Sequence, residues 1–211
     1  MTTANLRSEL AQHLRQRLEA FQEGFRHNLA LVGPPGSGKT FQLQLLLAHP
    51  APRFLFIYCP LYRESCRGFL HRFLRAALQA GLAPSGEAAN RPASRPVAPE
   101  PTAEAAQDPL EGLLRRADVA LPKTAAAMRL VEQLITKRLY GEAFNRALDT
   151  IPVLTEERGA PCALILDEFL FLEELGLGHA FHELGKRVMT WPSTLFILSS
   201  SACFQIGRAH V

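Results

Sequence analysis

Residues Gly33–Thr40 read Gly-Pro-Pro-Gly-Ser-Gly-Lys-Thr, a complete G-x-x-x-x-G-K-[ST] phosphate-binding loop. Few patterns constrain a chain more. Its glycines let the backbone turn tightly enough to aim successive N–H groups at phosphate oxygens. Lys39 adds a mobile positive charge, and the Thr40 hydroxyl suits a hard cation. A helix must begin there, so that its positive dipole end faces the anion. The flanks agree with that order. Leu29-Ala30-Leu31-Val32 reads as a short buried strand and Phe41–Leu47 as a helix. Gly33, Pro34, Pro35, Gly36, Ser37, Gly38, Lys39, Thr40 and Phe41 are therefore the candidate phosphate-ligand contacts.

A second constellation lies far downstream. Ala163-Leu164-Ile165-Leu166 is an apolar run that ends in Asp167-Glu168. Such a run reads as a strand buried on both faces of a parallel sheet. Its carboxyl end is where open α/β sheets hold their ligands. Asp167 there would hold Mg²⁺ together with Thr40, and Glu168 would act as general base on a water. A further run, Thr194–Leu198, ends in Ser199-Ser200-Ser201.

Loop, Asp-Glu strand and a later strand with a polar tip together resemble the AAA+ and related STAND-type ATPases. The resemblance covers roughly Asn28 to Ala202. It implies an α/β fold, a P-loop NTPase three-layer sandwich with a mostly parallel sheet. Five core strands belong to that family and four are visible here, so Leu29–Val32 is expected as an exposed apolar edge. The resemblance also implies ATP as ligand, Mg²⁺ as cofactor and ATP hydrolysis. In the family the third of these strands lies between the other two, and its polar tip senses the γ-phosphate. By position Ser199 or Ser200 would hold that role. The family commonly completes its site with an arginine from a neighbouring subunit or a lid, which implies a homo-oligomer or a partner protein.

Composition narrows the rest. A chain of 211 residues, 47% hydrophobic, can bury the core of one domain. The net charge of +3 is too small to require a nucleic-acid partner. Cys59, Cys66, Cys162 and Cys203 form no C-x-x-C pair, and Cys59 and Cys162 sit in apolar runs as reduced core thiols. No apolar run approaches the about 18–20 residues of a membrane span. The polar N-terminus with early acids shows no signal peptide, so a cytoplasmic location is expected.

Along the chain, Leu6, Leu10, Leu14, Leu18, Phe21 and Phe25 recur at helical spacing, giving an amphipathic helix within residues 1–27. The ATPase-like core would span 28–205. Phe54–Tyr58 reads as a strand, followed by a helix from about Glu64 to Gln79 with Phe69, Leu70, Phe73, Leu74 and Leu78 on its buried stripe. Arg63, Arg67, His71, Arg72 and Arg75 line another face, either a solvated surface or a contact for nucleic-acid phosphates. Residues 81–108 are rich in Pro, Ala, Glu and Ser and read as a disordered insert. Apolar periodicity returns from Met128 through Val131, Leu134, Ile135 and Leu139 to Leu148, one or two helices. A helix through His179, Phe181, Leu184 and Val188 follows the Asp-Glu strand, and its His179/His182 pair lacks a third metal ligand.

The last six residues, Ile206–Val211, resemble the translation of a sequencing-library adapter, so native sequence is expected to end near Phe204 or Gln205. Three functions fit these features: a hydrolysing ATPase, a nucleotide-dependent DNA-binding or replication-initiator ATPase, and an ATP-controlled switch with negligible turnover. A GTPase is disfavoured because no N-K-x-D base-reading motif occurs. A small-molecule kinase shares the loop, but Asp-Glu followed by a polar-tipped strand favours water as nucleophile.

Overall fold

The computed structural model describes residues 3–48, 53–83 and 110–201. The chain forms an α/β sandwich around one four-stranded sheet: α1 (Thr3–Gln22), β1 (Leu29–Val32), α2 (Lys39–Ala48), β2 (Leu55–Pro60), α3 (Cys66–Leu82), α4 (Leu110–Ala120), α5 (Pro122–Thr136), α6 (Tyr140–Arg158), β3 (Cys162–Asp167), a 3₁₀ turn (Phe169–Leu175), α7 (Ala180–Thr190) and β4 (Thr194–Ser200). Every strand pair is parallel, in the order β1-β4-β3-β2. This is a P-loop NTPase-type fold. The serine-tipped strand β4 lies between β1 and β3, as the family resemblance implies.

Burial explains the order. All six residues of β3 are buried, which suits a central strand covered on both faces. On one face α1 and α2 pack Leu14, Leu18, Phe21, Leu43 and Leu47 against Phe56, Ile165 and Ile197. On the other, Phe69, Phe73, Met128, Phe144 and Ile151 from α3, α5 and α6 cover Ile57, Leu164 and Phe196. The strand β1 is the exposed edge expected from four visible strands rather than a strand buried on both faces. It has one neighbour among the described residues, and Ala30 and Val32 are exposed, Val32 by 46%.

Local chemistry sets the helix ends. Ser65 caps α3, its Oγ accepting from the Gly68 N–H at 3.1 Å. Gly159 closes α6 in the left-handed conformation at φ 61°. Four sequence expectations need correction. The apolar stripe of α1 does not reach Phe25, because the helix ends at Gln22, Gly24 turns at φ 93° and Phe25 is 62% exposed. The insert does not begin at Gly81, which is buried within α3; residues 84–108 lie outside the described residues. The periodicity from Met128 to Leu148 falls on two helices, α5 and α6, but a further helix, α4, precedes them, and α6 runs on through Pro152 to Arg158. The arginine stripe is not one free basic face. Arg63 pairs with Glu174 at 3.1 Å, Arg72 pairs with Glu64 and stacks over Tyr62 at 4.9 Å, and His71 lies 3.3 Å from Glu132. The expected non-native tail, Ile206–Val211, lies outside the described residues, as does Cys203. No described helix is long and apolar enough to cross a membrane.

Candidate functional site

The loop that carries the phosphate-binding pattern connects the carboxyl end of β1 to the first turn of α2. The Gly33 N–H donates to Ser200 O at 3.3 Å, which extends the β1–β4 ladder by one rung. The chain then turns through Gly36 at φ 77° and Gly38 at φ 93°, conformations that cost a side chain dearly. Lys39 folds back over this turn. Its Nζ donates to Gly33 O at 2.7 Å and Pro34 O at 3.2 Å, and lies 3.3 Å from Ser37 Oγ and 3.1 Å from Ser201 Oγ. Among the described residues, this buried ammonium is held by neutral oxygens. That arrangement suits a cation reserved for an anion. Pro34, Pro35 and Gly36 are exposed, and Phe41 is 57% exposed on the outer side of α2.

The acidic half of the site follows from sheet register. Leu166 pairs with Leu198, so the next positions, Asp167 and Ser199, stand side by side. Both point to the sheet face covered by α2, where Ile165 and Ile197 also lie. Thr40, in the first turn of α2, hangs over that spot. Its Oγ1 donates to Asp167 Oδ2 at 2.8 Å. Two residues separated by 127 positions in the chain are thereby in direct contact. The Tyr58 hydroxyl donates to the same oxygen at 3.0 Å, and Ser199 Oγ donates to Oδ1. Burial, and after it the Asp167 charge, pushes the Tyr58 phenol well above its usual range, so Tyr58 remains a donor.

Glu168 is the first residue past β3 and takes a left-handed backbone, φ 56° and ψ 43°. That conformation is uncommon outside glycine and clusters at functional positions. It redirects the side chain from the sheet toward the end of β4. There Oε2 accepts from the Ser201 N–H at 2.9 Å and Oε1 from the Ser201 hydroxyl. Ser201 therefore touches both Glu168 and Lys39. Sequence reading singled out Ser199 and Ser200 and passed over Ser201. Ser199 meets Asp167 and the Glu168 N–H at 3.3 Å. Ser200 is fully buried in the strand. Period-two alternation places Ser199 and Ser201, but not Ser200, on the Asp167 face, and this signal was available in the sequence.

The donor set fits Mg²⁺. Thr40 points its proton at Asp167, which leaves hydroxyl lone pairs free beside a carboxylate, and hard oxygen donors are what that ion selects. The structure thus gathers Lys39, Thr40, Asp167, Glu168 and Ser199 at one end of the sheet, with Ser201 and Tyr58 added. Residues 6–177 match the AAA ATPase domain family, a span that includes the loop, β3 and Glu168. The chain belongs to that family. Membership implies ATP binding. The match stops before β4, so the serine-tipped strand lies outside it. No curated protein and no solved structure matches the chain.

The three described cysteines take no part in this site. Burial pushes the Cys59 and Cys66 thiols up to about 11, and Cys162 higher still. All three are free and buried.

Proposed function

We propose that this AAA ATPase domain hydrolyses ATP with Mg²⁺, and that Gly33–Phe41, Asp167, Glu168 and the β4 serines form its site. The observation that carries this reading is the 2.8 Å bond from Thr40 to Asp167. It joins the phosphate loop to the acidic strand in the arrangement that metal-assisted phosphoryl transfer requires.

Each group then has one task. Backbone N–H groups of the loop and the α2 dipole bind the β-phosphate, and Lys39 exchanges its carbonyl partners for β- and γ-phosphate oxygens. Thr40 and Asp167 would hold Mg²⁺, which would neutralise charge that develops on the phosphates. Glu168 accepts a proton from a water as the water oxygen bonds to the γ-phosphorus. The bond from that phosphorus to the bridging oxygen breaks, leaving ADP and phosphate. Ser201 is well placed to sense the γ-phosphate, because it contacts both Lys39 and Glu168.

Those same contacts favour a second reading. Glu168 accepts from Ser201 at both carboxylate oxygens, which ties the proposed general base to the tip of β4. A chain with that resting arrangement would turn over slowly by itself, as an ATP-controlled switch does. An arginine from a neighbouring subunit or partner protein would supply the missing charge stabilisation. The nucleic-acid reading is weakened at Arg63, His71 and Arg72, each of which lies against one of the protein's own carboxylates.

Titration of the wild-type chain with ATP, with and without Mg²⁺, followed by a phosphate-release assay, tests the proposal. Mg²⁺-dependent binding with slow release supports it. A chain that binds no nucleotide at millimolar concentration contradicts it.

A further inference from the structure

Tyr58 belongs to none of the motifs that define the site, yet its hydroxyl donates to the Asp167 carboxylate at its centre. It sits on β2 opposite Ile165 of β3. Side chains two residues apart on a strand share a face, so Asp167 lies diagonally across from Tyr58, one step nearer the phosphate loop. A diagonal neighbour of this kind is within reach of an aromatic side chain and out of reach of a short one. The Tyr58 ring spans that diagonal and delivers its hydroxyl to Asp167 Oδ2 at 3.0 Å. The Asp167 carboxylate is then gripped from three sides, by Tyr58 from β2, Ser199 from β4 and Thr40 from α2.

These three donors have different prospects when nucleotide binds. Thr40 belongs to the phosphate loop. Ser199 lies two residues from Ser201, which contacts Lys39 and Glu168. Among the described residues Tyr58 hydrogen-bonds to Asp167 and not to the loop glycines or the β4 tip, and it is half-buried against the α1–α2 core. It is the fixed member of the set. A donor locked into the sheet defines the direction of the Asp167 lone pairs however the loop rearranges.

We propose that Tyr58 is a positioning residue for Asp167, orienting the carboxylate so that it and Thr40 present one preformed set of oxygens to the divalent cation that accompanies the nucleotide. The inference rests on the reading of Asp167 and Thr40 as the metal-holding pair. Partners of metal-binding carboxylates in other proteins carry such a role, and their loss weakens metal binding about tenfold or more.

Tyr58→Phe tests this by removing the hydroxyl and keeping the ring. Mn²⁺ serves as probe, titrated into the ADP complex and followed by electron paramagnetic resonance; fluorescent ADP titrated in EDTA reports metal-free nucleotide affinity. The variant is expected to bind Mn²⁺ about tenfold more weakly in the ADP complex and to bind metal-free ADP as the wild type does. Equal Mn²⁺ affinity overturns the proposal, and an equal loss in both titrations reassigns Tyr58 to packing. If Tyr58→Phe fails to fold, the wild type with ring-labelled tyrosine supplies the readout. The chain has three tyrosines, assigned by Tyr62→Phe and Tyr140→Phe. The Tyr58 resonance is expected to shift on adding Mg²⁺ to the ADP complex, and an unmoved resonance overturns the proposal. A wild type that binds neither ADP nor metal removes the metal-site reading itself, whereas normal wild-type binding with an unaltered variant removes only the role of Tyr58.

Discussion

Gly81, on α3, lies so close to its neighbours that an added Cβ would stand 2.6 Å from Leu154 Cδ1 and 2.8 Å from Leu121 Cδ1. At the opposite end of the sheet, Lys39, Asp167 and Glu168 meet hydroxyls, carbonyls and the Ser201 N–H. The helical layer is filled by apolar side chains that have no alternative partner. The phosphate end is filled by polar groups, each of whose partners a phosphate, a cation or a water could replace. Packing fixes the first region in one state. The second is satisfied without ligand and can be satisfied again with one, which is what a site that responds to nucleotide needs.

Substitutions in the two regions should therefore separate stability from binding. The largest effect belongs to the helical layer. Leu154→Ala, at a fully buried position of α6, is expected to lower unfolding free energy by about 2–5 kcal/mol in chemical denaturation. Nucleotide affinity of the folded fraction should be unchanged, and a parallel loss of affinity would break the separation. Lys39→Ala should do the reverse. A charge-assisted contact to phosphate is lost, so calorimetric titration should show nucleotide affinity down about a hundredfold. Its melting temperature should stay at or above that of the wild type, because no buried charge remains.

Ser201→Ala sharpens the comparison within the site. It should leave nucleotide affinity nearly intact and change phosphate release by about tenfold. A slower rate marks Ser201 as a sensor of the γ-phosphate, and a faster one marks it as the group that restrains Glu168. Ser199→Ala with the same rate effect would remove the distinction between them. The smallest effect lies at the foot of α5. There Glu157 accepts from the Lys123 and Thr124 N–H groups at 2.9 Å each and from Thr124 Oγ1 at 2.7 Å. Burial alone would raise this carboxyl, but the hydrogen bonds from Thr124 and Lys123 outweigh it and hold the group below its usual range. A depressed carboxyl contributes stability that is complete above its unfolded pKa and is lost as pH falls through the folded value. Glu157→Gln should thus cost about 1 kcal/mol or less at neutral pH, and the gap to wild type should close in acid.

The two regions also differed in how legible they were. The loop pattern, the apolar run of β3 and the position of β4 followed from residue types at fixed spacing, and the sheet order observed is the one the family resemblance implies. The helical layer was read in part. The periodicity of Leu110, Leu113, Leu114 and Ala117 in α4 is plain, but it abuts a polar, Pro-rich stretch whose boundary was placed by composition rather than by phase. Within the site, the limit was geometric. Period-two alternation marks Ser199 and Ser201 as sharing a face, but the apolar run of β4 ends at Leu198, so hydropathy alone does not show that the strand continues through Ser200 to bring Ser201 to Glu168. Tyr58 read as one more aromatic strand residue, because its role depends on a diagonal contact across register that a single strand cannot reveal.

The central claim is that the carboxylate after β3 activates water for attack on bound ATP. Single-turnover phosphate release from preformed Mg·ATP complexes of wild type and Glu168→Gln, measured side by side, tests it most directly. The variant should bind ATP as tightly as the wild type and release phosphate about 10²–10⁴-fold more slowly. Release at the wild-type rate from Glu168→Gln would contradict the account.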